Sequence, residues 1–174
     1  MKKTTWKILK EIYDWNLVFL IALVASLFIK HTVVASAEVP TGSMEETVMT
    51  GSRIFINRLA YLSEEPQRGD IVAFIYPDDG KSLYLKRIMG LPGEVIEGKA
   101  GNIYINGVQI QDFVEESGDA DFGPYEIPEN CYFMMGDNRN NSWDSRYWNN
   151  KFVEKEAIEG KVSLEYFPEI KVLE

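Results

Sequence analysis

Cysteine and histidine are almost absent from this chain. Of its 174 residues, Cys131 is the single cysteine and His31 the single histidine. One cysteine excludes an intrachain disulfide, and its apolar neighbours predict a buried thiol. One histidine, beside a hydrophobic segment, is a poor basis for a Ser-His-Asp triad or for a zinc site with nitrogen and sulfur ligands. A serine hydrolase built from this chain would therefore use lysine as its base, and only a carboxylate site for a hard cation stays compatible with the composition.

Basic charge is also scarce beyond the N-terminus. The chain has a net charge of -9, and its first 36 residues contain five of the 18 basic residues but two of the 27 acidic ones. The remainder has a net charge of -12, which repels nucleic acid and anionic lipid headgroups. We predict no nucleic-acid partner. A composition that is 45% hydrophobic and 26% charged predicts a folded domain and not a disordered chain.

A long hydrophobic run stands near the N-terminus. Residues 17–29 are apolar except for Ser26, with Trp15 on one side and Lys30 on the other. Four lysines precede the run, so the positive-inside rule places the N-terminus in the cytoplasm. We predict a basic cytoplasmic tail at residues 1–15, a transmembrane anchor at 16–36 and an extracytoplasmic domain at 37–174.

Two other interpretations of this segment stay open. Ala35-Ser36-Ala37 resembles the cleavage site of a secretory signal peptide, although Lys30 and His31 interrupt the approach to it. The run is also short enough for a buried helix of a soluble protein, which would leave the lysine bias unexplained. We favour an uncleaved anchor. The anchor and the signal peptide both place the domain outside the cytoplasm.

The rest of the chain has the texture of a β protein. Short apolar or alternating runs are separated by turn residues, and Asn106-Gly107 has the signature of a tight hairpin. A short helix is predicted at 151–158 and an acidic surface loop at 112–123. Strands are predicted at residues 53–59, 70–76, 82–89, 102–108, 131–135 and 161–167. This pattern indicates an all-β catalytic domain with a barrel or sandwich fold.

The first run whose residues could take part in catalysis is Pro40-Thr41-Gly42-Ser43-Met44. A serine after glycine is usually just a turn residue. Here Pro40 and Gly42 favour a tight turn that projects Ser43. The Thr41 hydroxyl and the Ser43 backbone N–H are suited to hold an oxyanion. A turn-capping role for Thr41 is the alternative.

The second run, residues 86–93, places Lys86 between apolar residues of a predicted strand. An ordinary lysine is protonated near neutral pH, but burial disfavours the ammonium form and lowers its pKa. A neutral Lys86 could take the Ser43 proton and return one to the leaving amine. The alternative is an edge-strand lysine that faces water. Strand alternation predicts that Arg87 points to the opposite face.

The third run, residues 136–146, is too polar for a core strand. Ser142 could hydrogen-bond the Lys86 amine and orient it. Asp144 and Arg146 could form a charge-assisted pair that braces the loop. For Asp137 and Arg139 we favour structural ion pairs without a chemical role.

The three runs, in this order after a hydrophobic segment, resemble the bacterial type I signal peptidases. The resemblance covers most of residues 17–167 and includes the runs 68–72 (Arg-Gly-Asp-Ile-Val) and 101–107 (Gly-Asn-Ile-Tyr-Ile-Asn-Gly). The lysine run combined with Gly-Asp-Asn-Arg and Ser-x-Asp-Ser-Arg is specific. Lysine at position 86 is typical of the bacterial type, because eukaryotic and archaeal relatives use histidine there.

The resemblance implies a mechanism and a substrate class. Ser43 would be the nucleophile and Lys86 the general base, Thr41 would help to stabilise the oxyanion, and Ser142 would orient Lys86. Asp144 and Arg146 would support the site, with no metal or organic cofactor. The protein would be a membrane-anchored serine endopeptidase that removes signal peptides from exported preproteins after small residues of the Ala-X-Ala type. Its partners would be those preproteins and the lipids of the cell membrane.

Two positions depart from the family pattern, and two rival functions stay open. Glu46 stands where the family usually has proline, and Asn149 where glycine is common. Acidic residues at positions 45 and 46 are compatible with a catalytically lapsed, membrane-tethered β module that binds extended peptides. A cytosolic, self-cleaving Ser/Lys protease is the second rival, and the lysine-flanked hydrophobic segment argues against it.

Overall fold

The computed structural model describes residues 2–115 and 118–173. Helix α1 spans Lys2–Thr32 and is followed by the β-strands of the domain. The strands are β1 (Val34–Glu38), β2 (Arg53–Asn57), β3 (Ile71–Ile75), β4 (Leu83–Gly90), β5 (Val95–Lys99), β6 (Asn102–Ile105), β7 (Val108–Ile110), β8 (Phe122–Glu126), β9 (Cys131–Met135), β10 (Val153–Glu154), β11 (Ile158–Phe167) and β12 (Lys171–Val172).

Helix α1 is apolar and has no protein partner along most of its length within the described residues. Its segment Lys10–Thr32 has 23 residues with a mean hydropathy of 2.0, and none of its most apolar stretch is buried. At 1.5 Å per residue such a segment is about 35 Å long, which suffices to cross a bilayer. Large side chains such as Phe19, which is 70% exposed, need a lipid environment or a partner to leave water.

The strands form two antiparallel sheets. The larger sheet has the order β1-β2-β11-β3-β4-β9-β10, with β12 on β11, and the smaller one has the order β7-β6-β5-β8. Irregular register along β11 and between β4 and β9 bends the larger sheet. Met89 and Phe133 from the larger sheet pack with Ile96 and Ile103 from the smaller one, so a shared core joins the two sheets.

A second apolar cluster lies between β1, β2, β3 and β11. Strand β2 alternates buried and exposed residues and β3 is buried at its first four residues, as expected where a sheet covers a core. Each fully buried side chain of this size contributes about 1.5–3 kcal/mol to folding. The cluster consists of Val39, Met44, Val48, Ile54, Ile56, Ile71, Ala73, Val162 and Leu173.

The predicted fold class, an all-β domain after one apolar helix, is confirmed. The Asn-Gly hairpin is present, since Asn106 and Gly107 both have positive φ, at 51° and 78°. The helix predicted at 151–158 is wrong: the segment forms β10 and a single 3-10 turn at Lys155–Ala157, because β10 pairs with β9 at the edge of the larger sheet.

The segment boundaries also differ from prediction. Helix α1 continues through the predicted tail and ends at Thr32, and residues 34–36 of the predicted anchor belong to β1, which pairs with β2. The predicted loop 112–123 includes the start of β8. Met1, Glu116, Ser117 and Glu174, which fall in the predicted tail, loop and domain, lie outside the described residues.

Candidate active site

Ser43 lies on a 3-10 turn that spans Gly42–Met44. Met44 is fully buried and anchors the turn in the apolar cluster. Asn138 holds the turn from the other side: its backbone N–H donates to the Ser43 carbonyl at 3.2 Å, and its Nδ2 donates to the Gly42 carbonyl at 2.9 Å. The serine hydroxyl is thus carried by a turn that is fixed on both sides.

Lys86 lies in the middle of β4 and reaches this serine. Its Nζ is hydrogen-bonded to Ser43 Oγ at 2.6 Å and donates to the Leu85 carbonyl at 3.0 Å. The residue is only 3% exposed, so the predicted alternative of a water-facing lysine does not apply. The site has a half-buried hydroxyl and a buried amine in direct contact.

Burial changes the acidity of this amine. It lowers the pKa of Lys86 from 10.5 to about 8, because a buried ammonium loses its hydration. Asp144 and Asp137 act in the opposite direction through their negative charge. Each of these carboxylates is already paired with an arginine, which weakens its pull on the lysine. A useful fraction of Lys86 is therefore neutral near pH 8.

Asp144 and Arg146 form a buried ion pair beside the site. Arg146 Nε donates to Asp144 Oδ1 at 2.8 Å, and Nη2 donates to Oδ2 at 2.9 Å. The same carboxylate accepts the Gly136 N–H at 2.9 Å. The pair therefore connects the polar loop to the end of β9.

Gly136 lies where the loop passes closest to the nucleophile turn. A Cβ at this position would lie 2.2 Å from Ser142 Oγ and 2.4 Å from the Ser43 carbonyl oxygen. Both distances are far inside van der Waals contact. The absence of a side chain at position 136 is what lets Ser43 and Ser142 approach the same point.

Arg87 lies next to Lys86 and is also buried. Its side chain is held in an ion pair with Asp137. Its Nε and Nη2 donate to the two oxygens of Asp137 at 2.9 and 2.7 Å. Thr47, from the segment after the nucleophile turn, donates its hydroxyl to Asp137 Oδ2 at 2.5 Å. This bidentate pair braces β4, the loop and the Ser43 turn together.

Arg139 forms a third ion pair near the site, with Asp112. Its Nε also donates to the Gly136 carbonyl at 3.0 Å. Phe113 packs under the Arg87 guanidinium, with 5.2 Å between its ring centroid and Cζ. Asp112 and Phe113 thus attach the start of the predicted surface loop to the buried Arg139 and Arg87.

Ser142 and Thr41 border the site without the hydrogen bonds predicted for them. Ser142 Oγ is buried and has no hydrogen-bond partner among the described residues, because the Lys86 amine is bonded to Ser43 and Leu85 instead. The Thr41 side chain makes no capping hydrogen bond to the 3-10 turn that follows it, within the part of the chain that the structure describes. Its side chain stays free at the cavity wall.

A cavity of about 620 Å³ opens at the two catalytic candidates. Ser43, Lys86 and Ser142 line it. It is also lined by apolar residues, among them Val39, Met44, Ile54, Ile56, Ala73 and Leu85. The polar groups therefore face a space that suits small apolar side chains. Among the described residues, no group of three or more histidine, cysteine or acidic side chains is placed to hold a metal ion.

Comparison with known proteins decides the family. The family described as signal peptidase, peptidase S26, matches residues 12–167. A probable signal peptidase I-2 of Synechocystis sp. is 33% identical over 153 residues, which cover 84% of this chain and 69% of that protein. Signal peptidase I P of Bacillus subtilis subsp. natto is 35% identical over 91% of this chain and 90% of its own length. Signal peptidase I S of Bacillus subtilis (strain 168) is 37% identical over 91% of both chains.

The chain belongs to the signal peptidase S26 family. It is a serine endopeptidase of the class that removes signal peptides, and the family predicted from the sequence is confirmed. The apolar N-terminal helix fits the membrane anchor of such a peptidase.

Sequence reasoning missed several residues that build this signal peptidase site. Gly136, Asn138 and Thr47 were assigned no role, yet they shape or hold the Ser43 turn. Gly136 and Asn138 belong to the polar run that the sequence singled out, so the signal was present. Their roles depend on contacts across the fold, which a linear pattern does not contain.

Glu46 explains one departure from the family pattern. It has φ of 83°, in the left-handed region, whereas proline is restricted to φ near -65°. The turn after Ser43 therefore follows a backbone path that proline cannot adopt. At Asn149, the other departure, the backbone N–H donates to Asp78 Oδ2 at 3.0 Å, so this contact does not use the side chain.

We expect Glu46→Gly to stabilise the peptidase and Glu46→Pro to destabilise it. Glycine relieves a left-handed strain of about 1–2 kcal/mol and loses part of that gain to the entropy of the unfolded chain. Proline should cost more than about 1 kcal/mol because the native φ is incompatible with its ring. Thermal unfolding of the detergent-solubilised chain measures both effects. A proline variant as stable as wild type would contradict the assigned turn geometry.

Proposed function

We propose that Ser43 is the nucleophile and Lys86 the general base of this signal peptidase. The observation that carries the proposal is the 2.6 Å contact between Lys86 Nζ and Ser43 Oγ in a buried setting. When the lysine is neutral, its lone pair accepts the Ser43 proton while Oγ attacks the scissile carbonyl. The resulting ammonium then protonates the leaving amine, the C–N bond breaks, and an acyl-enzyme remains.

The second half of the reaction reverses the proton path. Neutral Lys86 takes a proton from water, and the hydroxide attacks the ester carbonyl of the acylated Ser43. The ester C–O bond breaks, and the lysine returns its proton to Ser43 Oγ. The products are the two peptides, and the enzyme is restored without a cofactor.

We assign supporting roles to four further residues. Thr41, whose side chain makes no capping bond, is free to join the Ser43 N–H in stabilising the oxyanion. Ser142, whose hydroxyl is buried and unpaired, orients the Lys86 amine during the reaction. Asp144 and Arg146 hold the loop that carries Ser142, through the buried pair described above.

The substrate is an exported preprotein with a small residue before the cleaved bond. Its chain would lie extended beside β4 and the residues before Ser43 and would use main-chain hydrogen bonds, as in strand addition. Alanine-sized side chains at the first and third positions before the bond would fit against the apolar residues that line the cavity. Cleavage of a preprotein by the purified chain tests this function directly. A folded chain that binds such peptides without cleaving them would instead be the lapsed binding module.

We further propose the orientation of the chain in the cell membrane. The four lysines before the apolar run favour a cytoplasmic N-terminus. The tail, the anchor and the extracytoplasmic peptidase domain then follow one another in the predicted order, with the end of the anchor at Thr32. Membrane lipids surround α1 and hold the enzyme and its membrane-bound substrate at the same depth, which raises their effective concentration.

The rate of cleavage should rise with pH through about 8 and level off above that value. The base must be neutral, and the pKa of Lys86 is about 8. Below it the ammonium form predominates, and activity falls about tenfold per pH unit. The dependence of kcat/KM on pH for a soluble peptide substrate measures this midpoint.

The variant Asp144→Asn tests whether Lys86 is the group that titrates. Asp144 raises the pKa of Lys86, so its neutralisation should move the midpoint to lower pH. An unchanged or higher midpoint in a folded Asp144→Asn variant, or a flat profile in wild type, would contradict Lys86 as the titrating base.

A further inference from the structure

The side chain of Arg58 bonds across the junction between the membrane helix and the catalytic domain. Helix α1 ends at Thr32 and β1 begins at Val34, so a single residue joins them. Arg58, just after β2, donates its Nη1 to the His31 carbonyl at 2.7 Å and its backbone N–H to the Val33 carbonyl at 3.1 Å. These bonds supply donors to carbonyls at the helix end, which have no partner within the helix.

The same guanidinium is tied to the domain on its other side. Arg58 Nη2 lies 3.2 Å from Glu159 Oε2 on β11. Because the ion pair is partly exposed, it adds little to the stability of the domain. Its main effect is to position the Arg58 side chain. Arg58 therefore connects three elements, the helix end, the turn after β2 and the central strand β11.

Backbone hydrogen bonds hold the chain between this junction and the nucleophile turn. Strand β1 is paired with β2 along its whole length, from Val34 opposite Asn57 to Glu38 opposite Arg53. The Val39 N–H then donates to the Ser52 carbonyl at 2.9 Å, and the Ser43 turn follows. Residues 32–34 form the link between the helix and the domain. The Val33 N–H donates to the Ile29 carbonyl at 2.9 Å there, and Arg58 bonds across the link.

We propose that Arg58 fixes the angle between the membrane helix and the catalytic domain, and so sets the distance from the membrane at which the peptidase cuts. This inference rests on the proposed insertion of α1 in a bilayer. A fixed height of Ser43 selects substrates whose cleavage site lies at a matching distance from their own hydrophobic segment. Arg58 is then a positioning residue that determines specificity and does not touch the substrate.

The test compares preproteins that differ only in the number of residues between hydrophobic segment and cleavage site. The spacing profile is the cleavage rate plotted against this number of residues. For wild-type enzyme in nanodiscs it should have one maximum. Arg58→Ala should lower the rate at that optimum about threefold and flatten the profile, while hydrolysis of a short soluble peptide and the unfolding temperature stay unchanged. Arg58→Lys, which keeps the charge but not the planar fork, should restore the profile in part.

Lys155→Ala is the matched control, because it also removes a partly exposed ion pair, with Glu65, in which no residue of α1 takes part. Its spacing profile should equal that of wild type. The proposal is overturned if Arg58→Ala and Lys155→Ala give the same profile as wild type.

A distance measurement tests the junction independently of activity. The native thiol can be removed as Cys131→Ser, and spin labels placed at positions 24 on α1 and 108 on β7, both exposed. In nanodiscs, Arg58→Ala should broaden the distribution of distances between the labels. An unchanged distribution would overturn the proposal even in an active enzyme. If the wild-type enzyme did not cleave the soluble peptide while Arg58→Ala still broadened the distance distribution, the catalytic proposal would be refuted. The junction proposal would then remain supported.

Discussion

Substitution of Lys86 by alanine should abolish cleavage of a preprotein, with a loss of about 10⁴-fold or more in kcat. The effect is large because no other group described in the structure is bonded to Ser43 Oγ as a base. Ser43→Ala should cause a loss of the same order, and the double variant should lose little more, since the two residues act as one unit.

Lys86→Arg separates base chemistry from charge and packing. Arginine stays protonated at every accessible pH and cannot accept the Ser43 proton, so this variant should be as inactive as Lys86→Ala. Lys161→Ala is a matched control on the same sheet, because Lys161 binds Asp70 at 2.6 Å and is partly exposed. Its activity should remain near that of wild type. Cleavage that survives in folded Lys86→Arg would contradict the proposed dyad.

The second large effect is expected at a residue without a side chain. Gly136→Ala should reduce kcat by about 100-fold, which is the effect of a displacement of about 1 Å at a catalytic group. The added methyl would meet Ser142 Oγ and the Ser43 carbonyl at little more than 2 Å, so the turn or the loop must move. Overpacking of this kind also costs about 1–3 kcal/mol of stability. Preprotein cleavage and thermal unfolding measure the two effects.

Gly80→Ala separates the local collision from the general cost of replacing a glycine. Gly80 has φ of 64°, and a Cβ there would meet no atom within 4 Å. We expect this variant to lose about 1 kcal/mol of stability from the left-handed backbone and to keep full activity. If Gly136→Ala were also fully active, the close approach of Ser43 and Ser142 would not matter for catalysis.

The fold was largely predictable because its strands have local signatures. The alternation in β2 and the apolar run of β9 were visible as patterns of period two or as continuous apolar runs. The strands β1, β5, β8, β10 and β12 were missed. Strands β10 and β12 have only two residues each, and all five take their stability from pairing partners. Asp112 was read as part of a solvated loop because its acidic surroundings do not indicate the buried arginine it meets.

The sequence by itself determined the hydrophobic anchor segment, the β-rich domain, and the order of a serine turn, a lysine strand and a polar loop. Each depends on residues adjacent in the chain. Only the tertiary structure decided that Lys86 is buried against Ser43, that Arg87 pairs with Asp137, and that Arg58 binds the end of α1. The first two contacts join residues 43 and 50 positions apart in the chain. Such contacts depend on strand register and on how the sheet bends, which are set by packing of the whole domain.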